Sequence, residues 1–188
     1  MFDNLVVEYQ DILRRFREET QQTNAVLAGG CLRDTFYGVE VKDLDFVVEC
    51  SRAHGGYRYP FSPHSPVLTR VWPDKRFHYC QGDDDGRVQE GEMAIGLGGN
   101  NSAGLLEVIE STDKKINIIL VKSILQYTQQ FPDSISQMVF NGNEIIVSTK
   151  WHQGAENGKV YYRWDIKTPR LMKLKAKYPT WEFIPEVW

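Results

Sequence analysis

The stretch Gly29-Gly30-Cys31-Leu32-Arg33-Asp34, followed by Gly38 and by Lys42-Asp43-Leu44-Asp45-Phe46-Val47-Val48, decides how the chain is read. Just upstream, Asn24-Ala25-Val26-Leu27-Ala28 is a short apolar run of the kind buried in a strand, and it ends at the glycines. Two glycines let the backbone come close to a ligand, and the free N–H groups that open a helix favour an anion. Residues 31–37 supply about two helical turns, stopped by Gly38 in a C-cap role. Residues 41–49 then return as a strand. Side chains two apart on a strand point the same way, so Asp43 and Asp45 present two carboxylates side by side. Such a pair repels itself unless a cation sits between them, and hard oxygen ligands beside a phosphate cradle suit Mg²⁺ or Mn²⁺.

Working outward, the chain of 188 residues is long enough to bury one sizeable core, and a single domain is expected over 1–188. The formal charge of -3 gives no general attraction to nucleic acid or membrane, so a polyanion would have to be held by a local patch. Three cysteines, Cys31, Cys50 and Cys80, carry no disulfide-like density, which fits a reducing cytoplasm. No stretch approaches the roughly 18 apolar residues of a membrane span, and acidic and polar residues from Asp3 onward break up any signal-peptide core. A soluble cytoplasmic protein, with no membrane partner, is expected.

Before the glycines, Leu5, Val6, Tyr9, Ile12, Leu13 and Phe16 fall at the spacing of an amphipathic helix that packs on a sheet. After β-type residues 41–49, the segment 50–66 reads as a surface excursion, and 67–72 and 76–81 as strands. The glycine-rich stretch 82–103, with Asp83-Asp84-Asp85, reads as a lid, and its acids do not follow the order of a calcium-binding loop. Residues 105–110 and 115–121 form a hairpin, 123–130 a helix, and 135–140 with 144–148 a second hairpin across Asn141-Gly142. Residues 151–158 read as a loop. Thr168-Pro169 then starts a basic helix carrying Arg170, Lys173, Lys175 and Lys177, and residues 181–185 end the chain as an extended tail. The fold class is α+β, with a mixed, mainly antiparallel sheet flanked by helices.

The spacing Gly-Gly-x-x-Arg-Asp, Gly, Asp-x-Asp is similar to the head signature of the DNA polymerase β-like nucleotidyltransferases, above all the poly(A) polymerase and tRNA CCA-adding branch. Gly29, Gly30, Arg33, Asp34, Gly38, Asp43 and Asp45 carry the resemblance. The hairpin, helix and hairpin over 105–147 also resemble compact nucleotidyltransferase-like proteins of bacteriophages, in which case the host cytoplasm is the compartment. The resemblance implies the nucleotidyltransferase head fold and transfer of a nucleotide from a Mg²⁺-bound NTP, such as ATP, to an acceptor. Asp43 and Asp45 would ligate metal and Gly29 and Gly30 would hold the triphosphate. Arg33 would either assist or pair with a carboxylate. The acceptor is left open among RNA, protein and a small molecule.

The family carries a third carboxylate on a later strand. In Lys115-Ile116-Asn117-Ile118-Ile119-Leu120 that position falls on Asn117, whose neutral amide cannot serve as a base. Glu107 or Glu110 on the neighbouring strand could substitute, and by alternation at most one of them points inward. A nucleotide-binding protein without transfer activity, acting as a regulator, is therefore the alternative, and an RNA-binding module centred on the basic helix is a third. Cys50 with His54, and His78 with Cys80, offer zinc-type donors at spacings that match no common finger.

Overall fold

The computed structural model describes residues 2–53, 56–80 and 104–187. Helix α1 (Phe2–Thr20) opens the chain, and its Tyr9, Leu13 and Phe16 are buried, as the three-and-four spacing dictates. Phe16 stacks on Phe46 with ring centroids 4.7 Å apart. Arg17 on this helix is half-buried. Its Nε and Nη2 donate to the Ala25 carbonyl at 2.9 and 2.6 Å, and Nη2 also donates to the Asn141 carbonyl at 2.8 Å. One guanidinium thus ties the helix to the chain just before Val26 and to the turn after Phe140.

Strand β1 (Val26–Ala28) leads into α2 (Gly30–Phe36), and β2 (Leu44–Glu49) follows. A small two-stranded ribbon, β3 (Arg52–Ala53) and β4 (Gly56–Tyr57), precedes α3 (Pro66–Val71) and β5 (Phe77–Tyr79). Then come β6 (Leu105–Ser111), β7 (Ile116–Val121), α4 (Ile124–Gln129), β8 (Met138–Phe140) and β9 (Ile145–Val147). Seven strands form one sheet in the order β5-β6-β7-β2-β1-β8-β9. Only β2 and β7 pair parallel within it; the other neighbours are antiparallel, so the sheet is mixed and mainly antiparallel as expected.

Alternation sorts the sheet into two faces. Leu27, Phe46, Val48, Ile118 and Leu120 join α1, α2 and α3 in the larger core. Val26, Val47, Ile119 and Val121 join Tyr127 and Phe131, at and beyond α4, in the smaller one. All six residues of β7 are buried, which is why its sequence is apolar on both faces apart from Asn117. Among the described residues no helix is long and apolar enough to cross a membrane.

Several expectations are corrected. Residues 67–72 form a helix, not a strand: Pro66 occupies its first turn, and the buried pair Leu68 and Val71 recurs at a spacing of three rather than two. Residues 151–155 are not a loop but the greater part of α5 (Thr149–Ala155), capped by the Ser148 hydroxyl accepting from Trp151 N at 3.0 Å, and only 156–158 form a turn. Gly154 within this helix is a packing residue, whose added Cβ would lie 2.4 Å from the Lys159 carbonyl. Residue 135 belongs to a 3₁₀ turn (Ser134–Ser136), not to a strand. The β8–β9 connection is a four-residue turn: Asn141 N bonds the Glu144 carbonyl, and the Asn141 side chain accepts from Asn143 N and Glu144 N at 2.9 and 3.0 Å. The expected lid at 82–103 lies outside the described residues.

The C-terminal segment is more than a helix and tail. Strands β10 (Lys159–Arg163) and β11 (Glu182–Glu186) pair parallel around α6 (Thr168–Lys177). Ile135, Val160, Leu174 and Tyr178 form its core, which seats α6 against the 3₁₀ turn.

Candidate functional site

A cavity of about 270 Å³ opens where α2, the approach to β2, β7 and α6 meet. Gly30, Arg33 and Asp34 enter from α2, and Lys42, Asp43 and Asp45 from the start of β2. Gly29 makes the turn into α2 with φ 75° and ψ −130°, a conformation suited to glycine, and its N–H donates to the Met138 carbonyl at 3.0 Å. Gly38, at φ 69°, closes the helix as its C-cap role required. Leu44 N donates to the Lys115 carbonyl at 2.9 Å, which fixes the backbone between Asp43 and Asp45 against the start of β7.

Asn117 sits beside Asp45. The two are register partners across the parallel β2–β7 pair, and Asn117 Nδ2 donates to Asp45 Oδ1 at 2.9 Å. A carboxylate only accepts, so the amide must turn its NH₂ toward Asp45 and its oxygen away. That Oδ1 is buried, with Asn117 only 6% exposed, and has no hydrogen-bond partner among the described residues. An orphaned buried acceptor of this kind carries a desolvation cost that a cation or a donor at the same spot would remove.

The two glutamates part company. Glu110 is the register partner of Asn117 across β6–β7, and His78 is the register partner of Glu110 across β5–β6. Directly opposed residues share a face, so Glu110 lies on the Asp45 side of the sheet, one strand beyond Asn117. Its carboxylate lies 3.5 Å from His78 Nε2. Glu107 pairs with Leu120, whose side chain belongs to the opposite face. Among the described residues no three His, Cys, Asp or Glu side chains converge as a metal cluster, so neither a third carboxylate nor a zinc set is assembled there. His54 lies outside the described residues, and Cys50 is buried with its thiol pKa pushed up to about 11, first by burial and then by Glu49.

Arg33 is 6% exposed and its guanidinium is held from several sides. Nε and Nη2 each lie 2.7 Å from Asp34 Oδ1, Nη1 donates to Ser136 Oγ at 2.7 Å, and Nε reaches the Tyr178 hydroxyl at 3.1 Å. Asp34 in turn accepts from Tyr178 OH at 2.7 Å and from Lys177 Nζ. Burial alone would raise the Asp34 pKa, but the bonds from Arg33, Lys177 and Tyr178 more than offset it and hold the carboxyl below its ordinary value. Asp133 is a second such case: fully buried, it is kept ionised by Arg170 at 2.7 Å and by Arg33. These bonds connect α2, the 3₁₀ turn and α6 in one buried network.

Helix α6 therefore does what sequence reasoning did not assign to it. Arg170, Lys173 and Lys177 line the cavity, on a helix whose apolar stripe is Leu171, Leu174 and Tyr178. Leu174 and Tyr178 are indeed buried, whereas Leu171 is only partly so. The spacing of three and four that connects Arg170, Lys173 and Lys177 was the available signal, since it places all three on one helical side.

No protein-family model matches the chain, and no curated protein does. A solved structure titled a tRNA-processing enzyme, in an apo form, is similar to it with a TM-score of 0.53 and 14% sequence identity, over 96% of this chain and 44% of that one. The likeness is one of fold, and the chain spans less than half the length of that enzyme.

Proposed function

We propose that the cavity binds a nucleoside triphosphate together with one divalent cation, and that the chain transfers a nucleotide to an acceptor hydroxyl. The observation that carries this reading is the pairing of Asp45 with Asn117 at 2.9 Å, which leaves a buried amide oxygen without a partner in the same cavity as Asp43. Two carboxylates, joined by the amide oxygen once Asn117 turns its NH₂ away from Asp45, would be a hard, all-oxygen donor set that fits a single Mg²⁺ or Mn²⁺. Such an ion would polarise the phosphate oxygens as a Lewis acid. The rest falls to the chain itself. Gly30 leaves the cavity wall without a side chain at the first residue of α2, and the lysines and arginines of the wall oppose the negative charge of a polyphosphate.

In the transfer the acceptor oxygen bonds to the α-phosphorus, the bond to the bridging oxygen breaks, and pyrophosphate leaves with the hydroxyl proton passing to base or solvent. The fold neighbour's title is compatible with RNA as acceptor. Incubating the protein with each labelled NTP, Mg²⁺ or Mn²⁺, and tRNA or protein acceptors tests the proposal. Transfer that disappears in Asp43→Ala and Asp45→Ala is expected. Tight NTP binding with no transfer across a broad acceptor panel would instead favour a nucleotide-binding regulator. One observation points that way: Asn117, neutral and unable to take a proton, stands at the position next to Asp45.

A further inference from the structure

The basic side chains of the cavity are not equivalent. Arg33 is bound to Asp34, Ser136 and Tyr178, Lys177 to Asp34, and Arg170 to Asp133. Each of these three cations already faces a buried carboxylate. Lys173, midway between Arg170 and Lys177 on α6, lines the same cavity, is exposed, and makes no ion pair with a described carboxylate. The buried bonds on either side of it fix the helix, so Lys173 stays at the cavity wall without a carboxylate partner there.

We infer that Lys173 is the contact for the outer phosphates of the bound nucleotide, and that the arginine of the glycine turn, Arg33, is a positioning residue that holds α6 in place. The inference rests on the nucleotide reading above and names which group recognises the polyphosphate. A lysine ammonium is a compact point charge with three donors, suited to terminal phosphate oxygens, whereas the Arg33 fork is already directed to partners within the protein. Lys173 therefore reads the number of phosphates, and the Asp43–Asp45 side of the cavity reads the phosphate nearest the sugar.

The test measures calorimetric binding to the full chain in Mg²⁺. The ligands are inorganic tripolyphosphate and the tightest-binding of ATP, GTP, CTP and UTP, with its di- and monophosphate. Lys173→Gln is compared with wild type and with Lys175→Gln, a control on the same helix whose ammonium lies over the Phe183 ring at 5.6 Å. Loss of one charge-assisted contact should weaken tripolyphosphate and the triphosphate about tenfold, leave the monophosphate within about twofold, and leave Lys175→Gln like wild type. Equal losses for all nucleotides, equal losses in the two variants, or an unchanged triphosphate affinity in Lys173→Gln would overturn the assignment while the nucleotide reading stands. A wild-type protein that binds none of these ligands would overturn both.

Discussion

Asn117 and Asp45 occupy matching positions on adjacent parallel strands, and the amide of one donates to the carboxylate of the other at 2.9 Å. This neutralises nothing, because an amide carries no charge, but it orients the carboxylate and leaves the amide oxygen aimed elsewhere. The pair is therefore compatible with a bound cation and also stable without one, which two adjacent carboxylates would not be.

Asn117→Asp tests that statement. In metal-free buffer the change replaces a donor facing an acceptor by two like charges, and should destabilise the fold by about 1–3 kcal/mol. Mg²⁺ or Mn²⁺ should restore much of the loss by binding the native state. Urea denaturation with EDTA and with added Mn²⁺ checks both parts, and a variant indifferent to the metal argues against a cation at this position.

The two glycines of the turn should respond differently. Gly29→Ala forces a side chain onto φ 75° and ψ −130° and should cost about 1–3 kcal/mol in stability. At Gly30 an added Cβ meets only the Arg33 guanidinium, with Nη2 at an ordinary contact distance of 3.4 Å, so Gly30→Ala should fold nearly as well as wild type. Because Gly30 lines the cavity, the same methyl should weaken nucleotide binding. Thermal melts and nucleotide titrations on the two variants separate the backbone role from the cavity role.

Asp34 is the centre of the buried network, with side-chain exposure of 4%. Removing it by Asp34→Ala strands the Arg33 guanidinium and the Lys177 ammonium and should cost about 3–5 kcal/mol. Tyr178→Phe removes only a hydroxyl that bridges Arg33 and Asp34, and should cost about 0.5–1.5 kcal/mol in bonding. Equilibrium unfolding gives both values, and a larger effect from Tyr178→Phe would contradict the network as drawn.

The pH dependence has a definite sign. Asp34 and Asp133 both titrate below their ordinary value in the folded chain, each because neighbouring cations and hydrogen bonds outweigh burial. Their contribution is complete above the unfolded carboxyl pKa of about 3.9 and is lost as pH falls from there through the folded values. Stability should therefore decline below about pH 4, and Asp34→Asn should show a shallower decline than wild type. Tyr178 acts at the other end: burial first, then Asp34, raises its pKa, so its contribution is lost as pH rises above about 10.

Much of the candidate site was legible because its signals are local. A glycine turn, a short helix closed by Gly38 and an Asp-x-Asp at a strand entry are set by neighbours in sequence, and the structure brings Gly30, Asp43, Asp45 and Asn117 to one cavity. Asn117 stood out because it is the polar residue in a strand buried on both faces. The choice between Glu107 and Glu110 was not legible, since a bulge near Leu105 shifts the β6 register and only the observed pairing places Glu110 on the Asp45 side. The stretch 151–155 was misleading because a polar run resembles a loop, whereas the helix there is set by the Ser148 cap and by the close packing of Gly154 on the Lys159 carbonyl.

By itself the sequence determined the α+β layers, the positions of most strands and the turn between β1 and β2, because hydrophobic period and glycine chemistry act within a few residues. Tertiary structure alone decided that α6, which begins at Thr168 while β2 ends at Glu49, closes over that turn, and which of its cations are matched by carboxylates. The physical reason is that Asp34 and Asp133 choose their partners by burial in three dimensions, where an unpaired charge is most costly. Lys173 is left facing the cavity by that choice.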